Sequence, residues 1–178
     1  MSDAPRDVGS DASLEPVREV LSASTDPDNP TAEELRDLLE RTHRIAVVGL
    51  SRFPEKAARR VPAYLAARGY EVVPVNPSAE RVLGRPAYPR LTDVPGAVDM
   101  VMIFRPSDQA GAFVRESLRR PERPAIWLSE GIRADEEIAD ARSQGFAAVQ
   151  DLCAYKVHVN LPPRPSEPPA PGRRDPSG

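Results

Sequence analysis

The sequence predicts an α/β protein, a doubly wound parallel sheet of Rossmann-like type in a single domain with disordered tails. Two observations carry that expectation. Short apolar runs alternate with segments of helical length and helical spacing, and glycine closes several of those segments just before the next apolar run begins. Strands alternating with helices at this spacing imply a parallel sheet covered on both faces.

The elements follow in order. Asn29-Pro30-Thr31 precedes Ala32-Glu33-Glu34, a helix start with Thr31 as its cap, and Leu35, Leu38 and Leu39 give that helix its apolar stripe. Residues 45–48 form a short apolar run ending at Gly49, the pattern of a fully buried strand. Residues 57–68 read as a helix stopped by Gly69, where a left-handed residue is commonly needed, and residues 71–75 as the second strand. A less regular stretch runs through Leu83, Gly84 and Tyr88. Residues 98–104 are the next strand, 107–119 a helix, 125–128 a strand, 135–143 a helix ended by Gly145, and 147–150 the last strand.

Charge divides the chain. Of the net charge of −3, residues 1–30 carry −5, residues 162–178 carry +1, and the stretch between carries +1. Residues 31–161 are therefore expected to form the domain. Residues 162–178 hold seven prolines and almost nothing apolar, so burial cannot offset the entropy of ordering them. Residues 1–30 read as an acidic, mostly disordered arm, although Leu14, Val17, Val20 and Leu21 could form one short helix.

No apolar run approaches the roughly 20 residues that cross a bilayer, and residues 1–10 are acidic and polar rather than secretory. One cysteine, Cys153, excludes an intramolecular disulfide, and a cytoplasmic location is expected. The balanced charge and few aromatics of the domain give no nucleic-acid footprint, and one cysteine with two histidines gives no zinc spacing. No metal is expected.

Ligands of such sheets sit outside the carboxyl ends of the strands, near the point where strand order reverses. Four segments meet there: Gly49-Leu50-Ser51-Arg52, Val75-Asn76-Pro77, Phe104-Arg105-Pro106 and Leu128-Ser129-Glu130-Gly131. In the first, Gly49 permits a tight turn, and Ser51 offers a hydroxyl beside the exposed amides of the next helix. Arg52, Lys56, Arg59 and Arg60 add positive charge, which suits a phosphate at a helix start.

The second segment discriminates among nucleotides. A dinucleotide site places Asp or Glu at the end of strand two to accept the ribose hydroxyls. Here that position is Asn76, and no carboxylate follows until Glu80, while Arg81 and Arg85 suit an extra phosphate. This disfavours NAD and leaves NADP or coenzyme A, whose ribose carries a 3′-phosphate. In the third segment, Phe104 suits adenine or the pantetheine path and Arg105 a phosphate; their plainer roles are a core ring and a surface charge.

At these residues the sequence resembles the single-domain CoA-binding proteins of bacteria, whose Rossmann-type domain is related to that of the succinyl-CoA ligase alpha subunit. The resemblance rests on Ile45-Ala46-Val47-Val48-Gly49-Leu50-Ser51, Gly69-Tyr70-Glu71-Val72-Val73-Pro74-Val75-Asn76-Pro77 and Leu83-Gly84-Arg85-Pro86-Ala87-Tyr88. It continues through Val98-Asp99-Met100-Val101, Ile103-Phe104-Arg105 and Trp127-Leu128-Ser129-Glu130-Gly131-Ile132. It implies that Gly49, Leu50, Ser51 and Arg52 contact the nucleotide phosphates. Val75, Asn76 and Pro77 would border the adenosine, and Phe104, Arg105 and Pro106 the pantetheine side. Ser129 stands where this family usually has glutamine, and Ala58-Arg59-Arg60 where it keeps a serine–histidine pair.

The sequence offers no convincing catalyst. His43 precedes the first strand, at the wrong end of the sheet, and His158 follows Cys153 by five residues without an evident third group. Ligases of the related type need a further domain with a phosphorylated histidine, and this chain ends soon after its last strand. The expected function is non-catalytic binding of coenzyme A or an acyl-CoA. The competing readings are an NADP-dependent small oxidoreductase and a regulatory module that senses an acyl-CoA or a nucleotide. Small doubly wound domains often pair, so a homodimer is among the expected partners.

Overall fold

The computed structural model describes residues 13–163. In chain order the elements are α1 (Glu15–Ser22), α2 (Ala32–Arg41), β1 (Arg44–Val48), α3 (Ala57–Ala67) and β2 (Glu71–Val75). Two short strands follow, β3 (Arg81–Val82) and β4 (Arg85–Pro86), then a 3-10 turn (Leu91–Asp93). The remainder is β5 (Met100–Ile103), α4 (Ser107–Leu118), β6 (Ala125–Leu128), α5 (Asp135–Ser143), β7 (Ala148–Val149) and α6 (Ala154–Val159). Five strands form one parallel sheet in the order β2-β1-β5-β6-β7. The chain steps outward from β1 to β2, then crosses to β5 on the other flank of β1. The switch point therefore lies between β1 and β5.

Strand side chains alternate in direction, so a strand buried on both faces feeds two cores. Ile45, Val47, Met100, Met102 and Trp127 join the core under α1, α2, α3 and α6. Ala46, Val48, Val101, Ile103 and Leu128 join the core under the 3-10 turn, α4 and α5. Thr31 caps α2 as the sequence predicts: its hydroxyl accepts the Glu34 N–H at 3.2 Å, and the Glu34 carboxylate accepts the Thr31 N–H at 3.0 Å. Gly69 and Gly145 stop α3 and α5 at positive φ, as expected from their places in the sequence.

The arm expected to be mostly disordered over residues 1–30 needs correction in its described part. Leu14 and Val17 are fully buried, and α1 packs against α2 and α6. Arg18 pairs with Glu33. Farther on, the Asp26 carboxylate meets Arg142 at 3.1 Å and the Gln150 amide at 3.0 Å, while Thr25 holds Asp151. A four-residue apolar stripe does not announce its own burial. The surface it covers is completed by α6, an element the sequence reading did not foresee. Residues 1–12 lie outside the described residues, and so does all of the expected tail at 162–178 beyond Pro163.

Candidate functional site

The carboxyl rim is built around a close approach of two backbones. The Gly49 N–H donates to the Val75 carbonyl at 3.0 Å, and the Phe104 N–H donates to the Val48 carbonyl at 2.9 Å, so the ladder runs on into the loops. Gly49 sits at φ +82°, and a Cβ there would lie 2.8 Å from the Phe104 carbonyl oxygen and 3.0 Å from Arg105 Cδ. Glycine is required twice over, for the left-handed turn and for the contact across the switch point.

The first loop is then anchored by an unusual acceptor. Pro62 lies inside α3 and has no N–H, so the carbonyl four residues back, at Ala58, has no helical donor. The Ser51 N–H takes that carbonyl at 3.0 Å and draws the loop onto the helix. Ser51 Oγ accepts the Phe53 N–H at 3.0 Å, so the hydroxyl shapes its own loop. No side chain caps α3; Lys56 is its N-cap residue, and its first turn holds no acidic residue. Arg52, Lys56, Arg59 and Arg60 make no ion pair among the described residues, against a single carboxylate in the same loop, Glu55. The N-terminus of α3 thus presents orphan amides and uncompensated cations together.

Asn76 joins the second loop to the first. Its Nδ2 donates to the Leu50 carbonyl at 3.0 Å and its Oδ1 accepts the Ser78 N–H at 2.7 Å, so the amide is occupied in holding Gly49-Leu50 beside the Val75-Asn76-Pro77 turn. Pro77 is exposed at that turn. Phe104 is half-buried and packs on the core beneath α3, which fits its plainer role. Arg105, just before α4, is held by Gln109 of its first turn, at 2.5 and 3.2 Å, and exposed Pro106 is the N-cap residue of α4. All the residues singled out from the sequence at these three loops border the same rim.

Two arginines that follow the second segment are engaged within the protein. Arg85 Nη1 donates to the Val72 carbonyl at 3.2 Å, near the amino end of edge strand β2, and Arg81 donates to the Gly84 carbonyl. Arg85 is thereby turned towards the amino half of β2, and Arg81 is bonded within its own hairpin. His158 belongs elsewhere too: its Nδ1 lies 2.9 Å from the Tyr64 hydroxyl, and its ring stands edge-on to Tyr64 and Tyr70. Helix α6 starts at half-buried Cys153 and carries His158 away towards the amino end of the sheet.

The fourth segment is tied down from outside. Asp151, at φ +50°, accepts the Gly131 N–H at 2.7 Å through one carboxylate oxygen and the Thr25 N–H and hydroxyl, at 2.8 and 2.6 Å, through the other. Burial alone would raise the Asp151 carboxyl, but these bonds and the nearby Arg133 outweigh it and hold the group below the ordinary aspartate range. Sequence reasoning missed Asp151, Thr25, Pro62 and Phe53. Of these, only Pro62 left a readable signal, a proline within a helical pattern. Among the described residues no group of three or more His, Cys, Asp or Glu side chains could hold a metal ion, and no helix is long and apolar enough to cross a membrane.

The rim accordingly combines a glycine turn, an uncapped helix start and a carboxylate-poor end of β2. The pattern of the CoA binding domain matches residues 43–159. The uncharacterized protein YneT of Bacillus subtilis is 34% identical over 131 residues, covering 74% of this chain and 96% of that protein. A hypothetical protein from Pyrococcus horikoshii OT3 superposes with a TM-score of 0.72 at 32% identity, covering 78% of this chain and 96% of its own. The ADP-forming acetate–CoA ligase II of Archaeoglobus fulgidus is 30% identical over 109 residues, which are 60% of this chain and only 16% of the ligase. The matched pattern spans every strand of the sheet and all four rim segments, and the chain belongs to the CoA-binding domain family.

Proposed function

We propose that this protein binds coenzyme A or an acyl-CoA at the carboxyl rim and holds it without transforming it. The observation that carries the reading is the cluster of Arg52, Lys56, Arg59 and Arg60, none of them paired with a carboxylate and only Arg59 bonded, to the Arg52 carbonyl, at an uncapped helix start beside the switch point. Arginines elsewhere, such as Arg44, Arg120 and Arg142, hold carboxylates. Charge left uncompensated beside orphan amides suits a polyanion, and coenzyme A carries a pyrophosphate and a 3′-phosphate.

Gly49, Leu50, Ser51 and Arg52 would wrap the pyrophosphate, the Leu50 and Arg52 amides meeting it because those of Gly49 and Ser51 are engaged by Val75 and Ala58, with Arg59 and Arg60 adding charge. Val75, Asn76 and Pro77 would border the adenosine, and Phe104, Arg105 and Pro106 would line the way out for pantetheine. Asn76 supports this over NAD, because a ribose diol finds no carboxylate at the end of β2. The distance His158 keeps from the rim supports binding over catalysis. The cytoplasm, with its coenzyme A pool and reduced thiols, is the compartment this reading implies.

Calorimetric titration of the full chain with coenzyme A, 3′-dephospho-coenzyme A, NADP and NAD tests it. Coenzyme A is expected to bind, more weakly once the 3′-phosphate is removed, and an acyl-CoA incubated with the protein is expected to be recovered unchanged. Binding of NADP without coenzyme A would overturn the reading, and turnover of the thioester would overturn its non-catalytic part.

A further inference from the structure

Three large hydrophobic side chains are exposed among the described residues: Phe53 at 46%, Tyr155 at 42% and Val159 at 48%. Tyr155 and Val159 lie on α6, whereas Phe53 lies in the loop from β1 to α3, on the carboxyl rim. The Arg52 guanidinium stands 5.2 Å from its ring centroid and the Lys56 ammonium 5.7 Å. The Phe53 backbone is fixed by its bond to Ser51 Oγ, so the ring projects from an anchored turn. The Asn76 bond to Leu50 brings the adenosine-side turn to the same loop, three residues away.

We propose that Phe53 is the stacking platform for the purine base of a ligand ending in adenosine 3′-phosphate, with Arg52 and Lys56 taking the 3′-phosphate. The inference rests on the coenzyme A reading and adds to it a specificity residue peculiar to this loop. An aromatic face exposed to water gains by covering itself with a flat heteroaromatic ring, and the stack tolerates any purine. The phosphate supplies what the base lacks. Cations already gathered against a ring by its quadrupole need only swing their heads a short way to meet an anion beside it. A phenyl buried in the core could do none of this. A lone exposed phenyl without the two cations would have no preference for a phosphorylated nucleoside.

The test uses the full chain and the variants Phe53→Ala, Phe53→Leu and Phe53→Trp, titrated with coenzyme A and with adenosine 3′,5′-bisphosphate. Loss of one base stack predicts about tenfold weaker binding of both ligands in Phe53→Ala and Phe53→Leu. Phe53→Trp is expected to keep the parental affinity, and its indole fluorescence to be quenched by adenosine 3′,5′-bisphosphate. Because the ring is exposed, all three variants should melt with the parent. Parental affinity in Phe53→Ala, or in Phe53→Leu alone, overturns the platform while coenzyme A binding stands. An unquenched indole does the same. A parent chain that binds neither ligand overturns the coenzyme A reading itself.

Discussion

Replacing Gly49 with alanine tests the construction of the rim most directly. At φ +82° an L-residue pays about 1–2 kcal/mol for the left-handed conformation. The new Cβ would also lie 2.8 Å from the Phe104 carbonyl oxygen, which is main chain and cannot swing aside. The β1 and β5 loops must then part, and forced repacking of this kind costs about 1–3 kcal/mol. The sum is about 3 kcal/mol, or a fall in Tm of about 6–12 °C for a domain of this size. Gly69→Ala is the control: φ is +96°, but no atom lies within 4 Å of the added Cβ, so only the conformational cost applies. Urea denaturation followed by the fluorescence of buried Trp127 reads both variants, with the slope expected to stay constant. Gly49→Ala should also lose coenzyme A affinity while Gly69→Ala retains it. Equal destabilisation by the two variants would refute the claim that the loops are in enforced contact.

Pro62→Ala returns an N–H to the interior of α3, where it competes with Ser51 for the Ala58 carbonyl. The helix gains propensity while the site loop loses an anchor. Stability should hold or rise, and coenzyme A affinity should fall about fivefold, the worth of one net hydrogen bond; unchanged affinity would show that the anchor is irrelevant. The acid response concerns Asp26. Burial would raise its carboxyl, but the Asp28 N–H, the Gln150 amide and the Arg142 guanidinium outweigh burial and hold it below the ordinary value of 3.8. A carboxyl depressed in the folded state stabilises fully above that value, and the contribution is lost as pH falls through the lower folded pKa. Asp26→Asn should therefore be less stable than the parent at pH 7, with the gap closing below about pH 4 in denaturation at stepped pH. A gap constant down to pH 2 would remove the carboxylate from the account.

The sheet was readable because it rests on local rules. Buried strands demand uninterrupted apolar runs, and Thr31 with Glu34, like Gly69 and Gly145, marks helix ends through chemistry confined to a few residues. Strand β6 and helix α5 fall where their sequences place them, at Ala125–Leu128 and Asp135–Ser143. What stayed hidden depends on partners distant in sequence. The burial of Leu14 needs α6, which is short and follows a strand of only two residues. Arg85 looked free to meet a phosphate, because nothing local reveals that the carbonyl of Val72 on an edge strand lacks a neighbour to bond it. Asn76 stands at the end of β2, but the bond from its amide to Leu50 crosses 26 residues, and no spacing rule predicts it.

These hidden contacts change what the N-terminal segment can be. Thr25 binds one oxygen of Asp151, whose other oxygen binds Gly131 in the fourth rim loop. The positive φ of Asp151 costs about 1–2 kcal/mol, which bonds to a charged carboxylate readily offset. Over the described residues the segment is thereby a brace for the rim. The same bracing recurs at each loop: Gly49 against Phe104, Ser51 against Ala58, Leu50 against Asn76, Gly131 against Asp151. The side chains of Arg52, Phe53 and Lys56 stand out from that fixed backbone, with Pro54 and Glu55 between them. Such a division favours affinity gained through pre-organisation, with little entropy spent on closing a lid, so the ligand should meet a rim already shaped and move only a few charged heads.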